Sequence, residues 1–195
     1  MKNELKVEQK SGIHWQFFPK NSRMPDFLKG VIEAFEKHLA EIDSTKGIPI
    51  TASMNLPASE SKSNIVLECV REDLETIGYQ VESGKKADET INVPVFFGLN
   101  GIPEKTFKAD AYHQSNKVVI EVEAGRGYAN FQFLKDFFEA CVMEDVEYCV
   151  IALMNQYHTK KSVTYDFSEA KLFMDVLFSS GKIQTQLKGL LLIGY

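Results

Sequence analysis

Between residues 24 and 42 the apolar positions Phe27, Val31, Phe35, Leu39 and Ile42 recur every three or four residues, with polar side chains between them. That spacing predicts a helix, and Pro25 fits its first turn. Residues 46–57 read as irregular. A second helix is predicted over 63–77, with Val66, Cys69, Val70, Leu74 and Ile77 as its apolar stripe. Ser61 or Ser63 would cap it and Gly78 would stop it. Tyr79–Glu82 reads as a short strand, and residues 85–100 as a loop carrying a partial strand at Val93–Phe97. The pattern then turns extended. Phe107–Tyr112 and the β-branched run Val118–Val122 read as two strands, joined through His113-Gln-Ser-Asn116. A helix follows over 128–142, with Phe131, Leu134, Phe138 and Cys141 as its stripe. Tyr148–Met154 is a buried-strand run. A helix over 168–179, capped by Ser168, would turn Leu172, Phe173 and Val176 inward. Leu187–Tyr195 is a last apolar strand, and Trp15, Phe17 and Phe18 read as a strand packed on the core.

This order predicts an α/β domain with a mixed central sheet flanked by helices. Its 195 residues suit one domain. We divide it into an N-terminal helical extension (1–59), a core (60–155), and a C-terminal helix and strand (156–195).

Two acids interrupt the second face of the 118–123 strand. Side chains alternate along a strand, so Glu121 and Glu123 point the same way, roughly 7 Å apart. A loop of Ser115-Asn116, or of Gln114–Lys117, sets Asp110 opposite Glu121 and Lys108 opposite Glu123. The other face then pairs Ala109 with Val122 and Ala111 with Ile120, all apolar. Like charges facing one another across a hairpin are destabilising. A divalent cation among the three acids would relieve that. Carboxylate oxygens with room for water suit magnesium, with manganese as a substitute. The plainer alternative is an amphipathic hairpin with an acidic outer face. The chemistry that fits is phosphodiester hydrolysis: carboxylate-held metal activates water and neutralises phosphoryl charge, while a nearby carboxylate takes the proton.

The αβββαβ order, with Asp110 on the second of the three strands and Glu121-Val-Glu123 on the third, resembles the PD-(D/E)xK nuclease superfamily. The match is to its Glu-x-Glu variant, that of type II restriction endonucleases of the BamHI and BglII type. It covers roughly residues 60–155. Ala109 stands where the motif has Pro, and Glu123 where it has Lys. The resemblance implies a restriction-endonuclease-like core and Asp110 and Glu121 as metal ligands. Glu123 would be a general base or further acidic contact. The implied activity is that of a magnesium-dependent endonuclease acting on double-stranded DNA as a homodimer. An acid from the first core helix would join the site, with Glu60, Glu68 and Asp73 available. The missing Lys keeps a second function open: a non-catalytic nuclease-fold protein that binds nucleic acid or a protein partner.

Composition changes this picture little. The net charge of −5 argues against nonspecific DNA coating, so a nucleic-acid groove would have to be a local basic patch. Arg126 between Gly125 and Gly127, and the loop pairs Lys85-Lys86 and Lys160-Lys161, are candidates for backbone contacts. Cys69, Cys141 and Cys149 lack metal spacing and read as buried thiols in a reducing compartment. His14, His38, His113 and His158 show no ligand spacing, and His113 reads as an exposed turn residue. No apolar run is long enough for a membrane span, and the N-terminus lacks a signal peptide's apolar core, so the expected location is cytoplasmic.

Overall fold

The computed structural model describes residues 11–46, 62–125, 127–159 and 162–195. Arg126, the Lys160-Lys161 pair, Glu60, Ser61 and most of the irregular 46–57 segment lie outside them. The chain order is β1 (His14–Phe18), α1 (Lys29–Lys37), α2 (Leu39–Ile42), α3 (Lys62–Thr76), β2 (Gln80–Val81), β3 (Ile91–Phe97), β4 (Pro103–Ala109), β5 (Ala111–His113) and β6 (Val118–Glu123). It continues with α4 (Gln132–Val142), β7 (Tyr148–Leu153), β8 (Tyr157–His158), β9 (Val163–Thr164), α5 (Asp166–Ser180) and β10 (Gly189–Gly194).

Six strands form a mixed sheet in the order β1-β10-β7-β6-β5-β2. β6, β7 and β10 run parallel, and the remaining pairings are antiparallel. Parallel neighbours need long crossovers, and α4 and α5 supply them. The sheet divides two apolar clusters. On one face Val118, Ile120, Val122, Val150, Ala152, Leu191 and Ile193 meet α1 and α3 through Val31, Phe35, Val66 and Val70. On the other, Val119, Cys149, Ile151, Leu153, Leu190 and Leu192 meet α4 and α5 through Phe133, Phe137, Phe167, Ala170 and Met174. Strands covered on both faces are apolar throughout, which is why β7 and β10 show no alternation. Among the described residues no helix is long and apolar enough to cross a membrane.

The predicted α/β architecture is present, with several departures in detail. β10 lies between β1 and β7, so the central sheet draws on the segments expected as extensions outside 60–155. β1 forms as expected, burying Phe17 and Phe18 but leaving Trp15 half exposed. The 24–42 helix breaks at His38, whose backbone leaves the helical region and whose ring bonds Asp73 Oδ2 at 2.8 Å. The partial strand expected at Val93–Phe97 forms as β3, starting two residues earlier, and pairs with β4 as a separate two-stranded ribbon. α5 begins at Asp166, placing Ser168 inside the first turn rather than at the cap.

The two crossover helices are rotated from the expected stripes. α4 buries Phe133, Asp136, Phe137 and Ala140, while Phe131 and Phe138 stay exposed. α5 buries Phe167, Ala170 and Met174, leaving Leu172 58% and Val176 65% exposed. Apolar side chains on both sides of these helices made the face ambiguous; the sheet selects the one whose residues fill it. Truncating Leu192 to Ala in β10 should therefore cost about 2–5 kcal/mol, the range for an emptied core site. Leu172→Ala on α5 should stay within about 0.5 kcal/mol. Urea denaturation of the two variants checks both.

Candidate active site

β4 and β5 would be one strand but for a bend at Asp110. Up to Ala109 the chain pairs with β3 in the ribbon; from Ala111 it pairs with β6 in the central sheet. The hairpin register is the one predicted, Ala111 opposite Ile120, closed by the four-residue loop Gln114–Lys117. Past Ile120, β6 has no strand partner on this side among the described residues. Asp110 bonds to both neighbouring strands, its side chain filling the vacancy beside β6 and its main chain continuing toward β2. Its Oδ2 accepts a hydrogen bond from the Val122 N–H at 2.8 Å, and its carbonyl accepts one from the Glu82 N–H at 2.8 Å. The bend also overturns the expected Lys108–Glu123 pairing: Lys108 has left with the ribbon and stands opposite Asn92.

β6 turns Val118, Ile120 and Val122 toward α1 and α3. Val119, Glu121 and Glu123 therefore face α4. Two carboxylates thus occupy positions that core residues would otherwise take, beneath a helix that contributes a third, Asp136, only 4% exposed. Asp136 was not among the sequence candidates. The signal was its place three residues after Phe133 and one before Phe137, on the buried stripe of α4.

Asp110, Glu121 and Glu123 each keep a partial opening to solvent, yet they sit deep enough for burial to dominate their ionisation. Burial pushes the Asp110 carboxyl up to about 6, against the pull of the Val122 N–H. Burial, then the negative charge of Asp110 and Asp136, holds Glu121 well above the usual carboxylate range. Burial and contact with Asp136 raise Glu123. Asp136 is itself raised by burial, while the Lys135 ammonium works against the shift. Glu82 lies close enough to add repulsion at Asp110. It lines a cleft of about 320 Å³ with Arg71 and Lys85.

Of the first-helix acids, Glu68 and Asp73 do not join this group. Asp73 is held by Lys37 Nζ at 2.7 Å and by His38, and Glu68 pairs with Arg71 Nε at 2.7 Å. Of the lysine pair, Lys86 is bound to Glu89, and Lys85 lines the Glu82 cleft. His113 packs edge-on to Tyr79 and bonds Asn116, so it is part of the hairpin's structure rather than an exposed turn residue. Cys69 and Cys149 are buried and Cys141 partly so, all three as free thiols.

Around the end of β6 the packing is close. A Cβ on Gly127 would stand 2.7 Å from the Leu153 side chain and 3.0 Å from Glu123 Cβ. The buried Tyr195 hydroxyl donates to the Glu123 carbonyl at 3.0 Å, tying the end of β10 to the last residue of β6.

Among the described residues no three His, Cys, Asp or Glu side chains are set around one metal position. Magnesium does not require that, since it keeps several waters and takes one or two carboxylates with substrate phosphate. The donor set is all oxygen. Asp136 is buried, with the proton-holding Glu123 carboxyl in hydrogen-bonding contact with it. An all-oxygen donor set of this kind suits a hard divalent cation over a soft one.

The sequence matches no protein-family model, and no curated protein matches it significantly. Among solved structures, restriction endonuclease BglII in complex with a DNA 16-mer aligns with a TM-score of 0.44 and 12% identity. The alignment covers 93% of this chain and 75% of that one. A likeness of this degree carries no weight for function.

The raised acids set the pH dependence of stability. A carboxyl whose pKa is higher in the folded protein holds a proton that the unfolded chain has already released, so stability falls as pH rises through that interval. With a chelator present, the urea midpoint should drop between about pH 5 and about pH 8, the range above the usual carboxylate values. Glu121→Gln should flatten the decline, and magnesium should restore the midpoint at the upper end by binding the folded state. A midpoint that rises with pH over this range would contradict a cluster of buried, proton-holding acids.

Proposed function

We propose that this chain is a magnesium-dependent endodeoxyribonuclease of the type II restriction kind, hydrolysing phosphodiester bonds in double-stranded DNA. The observation that carries this reading is the convergence of Asp110, Glu121 and Glu123 where the ribbon leaves the sheet. All three are partly open to solvent and all hold their protons above the usual range. Three acids under a helix lower stability, and phosphoryl transfer with a divalent cation gives them a use.

Asp110 and Glu121 would hold the cation, magnesium or manganese in its place. When bound, it supplies Lewis acidity toward a phosphoryl oxygen and toward water. Asp110 is fixed for that task by the Val122 N–H, which engages one oxygen and leaves the other available. Glu123 takes the proton of the attacking water. A carboxyl raised toward neutrality is a stronger base than an ordinary one and is still ionised in part at working pH. The phosphorus–oxygen bond to the leaving group breaks as the water oxygen bonds to phosphorus, and no residue becomes covalently attached. Lys85 and Lys108, which lie near Glu82, would meet the DNA backbone. A homodimer would place two such sites on a palindromic sequence and cut both strands.

The test is incubation of the protein with a complex duplex DNA in magnesium or manganese, beside Asp110→Ala and Glu121→Gln. We expect discrete fragments from the wild-type chain and a loss of at least about a hundredfold in either variant, the scale at which a transition-state contact is removed. A smear abolished by the same variants would keep the nuclease and remove the restriction specificity. Intact DNA at all salt concentrations, with retention on immobilised duplex, would leave a non-catalytic nuclease-fold protein.

A further inference from the structure

The β3–β4 ribbon that leaves the sheet at Asp110 has two unlike halves. Its base is packed. Val93 and Ala109 are buried in the cluster under α4, and the Glu144 N–H donates to the Pro94 carbonyl at 2.7 Å. Its far end is uncovered among the described residues: Leu99 is 86% exposed, Ile102 63% and Phe96 53%, and Phe97 is exposed as well. From Pro94 to Pro103 the sequence carries no charge. This end has a fixed shape. The Gly98 N–H donates to the Ile102 carbonyl at 2.8 Å, and Asn100 and Gly101 close the turn at φ 60° and 71°, a region that Asn and Gly tolerate. Large apolar side chains grouped on such a tip mark an interaction surface.

Charge points to the partner. Most described lysines stand against a carboxylate, as Lys37 does with Asp73 and Lys188 with Glu147. Among the described residues Lys105 and Lys108 of β4, and Lys85 ahead of β3, have no such ion pair. Lys108 stands opposite Asn92, and Lys105 Nζ lies 5.0 Å over the Phe107 ring. Glu104, the ribbon's carboxylate, is folded against Gly98. The neighbouring acids Asp88, Glu89, Glu144 and Asp145 line a cleft along β3 that no β4 residue enters. The cationic strand is thus β4, and β4 ends one residue before Asp110. Unpaired ammoniums leading from the candidate site to an apolar tip match a duplex, whose phosphates flank stacked base faces. Seven extended residues span about 23 Å, more than the width of either groove of B-DNA. A duplex with one phosphate at Asp110 would therefore have base steps within reach of the tip.

We propose that the ribbon is a DNA-docking arm: Lys105 and Lys108 hold phosphates, while Phe96, Leu99 and Ile102 enter the minor groove as an apolar wedge that unstacks a base step. The proposal rests on the reading that places duplex DNA at Asp110. An uncharged tip suits the task, because an ion pushed between bases would lose its hydration. Unstacking kinks the duplex and lets it follow more of the protein surface. It also confers preference without base hydrogen bonds, since pyrimidine–purine steps open most readily.

The test uses the full chain in chelator, so that docking is read apart from cleavage. Anisotropy of a labelled mixed-sequence duplex reports affinity. Closed circular plasmid, relaxed by a metal-independent topoisomerase in the presence of the protein, reports unstacking as a change in linking number. The wild-type chain should bind and shift the topoisomers. Lys105→Gln with Lys108→Gln should lower the slope of log affinity against log salt by about 2. Leu99→Ser with Ile102→Ser should keep that slope, weaken binding several-fold and abolish the topoisomer shift. These side chains are exposed, so urea midpoints should match the wild type; if the tip pair does not fold, Phe96→Ser takes its place. A tip variant that binds and shifts topoisomers like the wild type would overturn the wedge. So would one that only turns a dimer into a monomer on sedimentation, which would make the tip a contact between copies. An unchanged salt slope in the lysine pair would overturn the phosphate contacts. Cleavage in magnesium with both variants like the wild type would sink this proposal and leave the nuclease reading intact. Ribbon-dependent binding without cleavage in magnesium or manganese would do the reverse. Absence of duplex binding by the wild-type chain would sink both.

Discussion

The hydrogen bond from the Val122 N–H to the Asp110 carboxylate is the contact on which the site depends. A strand in the interior of a sheet must satisfy its backbone on both sides. β6 does so against β7 along its length, but on the other side its partner departs at Asp110 to form the ribbon. The carboxylate takes over where the next strand residue would have paired. One side chain therefore ends the pairing, caps the exposed donor and sits beside Glu121. An asparagine would cap the same donor with its amide oxygen but would bring no charge. The choice of Asp adds a negative charge to a place where the sheet could have done without one.

That cost is compounded by the next layer. Carboxylates facing a helix are expensive because they lose hydration, and the expense grows with each like charge. α4 could have closed over β6 with apolar residues alone, as it does over Val119 with Phe133 and Phe137. Instead it brings Asp136 to the same pair of glutamates, with Lys135 at the rim. Functional sites are where such disagreement between local chemistry and packing is expected, because the arrangement serves binding rather than the fold. Asp73, held by the Lys37 ammonium and the His38 ring, shows how this chain treats an acid whose role is structural.

Much of this was legible in the sequence, for identifiable reasons. Alternation in Val-Val-Ile-Glu-Val-Glu set both glutamates on one face, and Ala111 opposite Ile120 followed from the turn residues. The break at Asp110 was not legible, because Phe107-Lys-Ala-Asp-Ala-Tyr is uniformly compatible with extension and nothing local marks a change of partner. Nor was the rotation of α4. Phe131, Phe133, Phe137 and Phe138 are all apolar, and which of them face inward depends on the surface the sheet presents. Asp136 was hidden by the same ambiguity, since a stripe drawn through Phe131, Leu134 and Phe138 places it toward solvent. The partner of β10 was invisible for a different reason. Parallel neighbours are distant in sequence, and an apolar run of leucines does not say which strand it will join.

The location of the candidate site follows from topology as well as from residues. β6, β7 and β10 run parallel, and their carboxyl ends lie together. In open α/β sheets that end is where chains diverge into connections and leave a crevice. Glu123 is the last residue of β6, Leu153 the last of β7, and Tyr195 follows β10. The Tyr195 hydroxyl reaches the Glu123 carbonyl, and Gly127 brings the departing chain against Glu123 and Leu153. The backbone that carries Glu123 is therefore held from two sides, by β10 and by the turn leading to α4. A side chain with raised basicity is useful only if it stays in position. Here the main chain of Glu123 is held by the Tyr195 hydroxyl and by the close approach of Gly127, not by donors on the carboxyl that would lower its pKa.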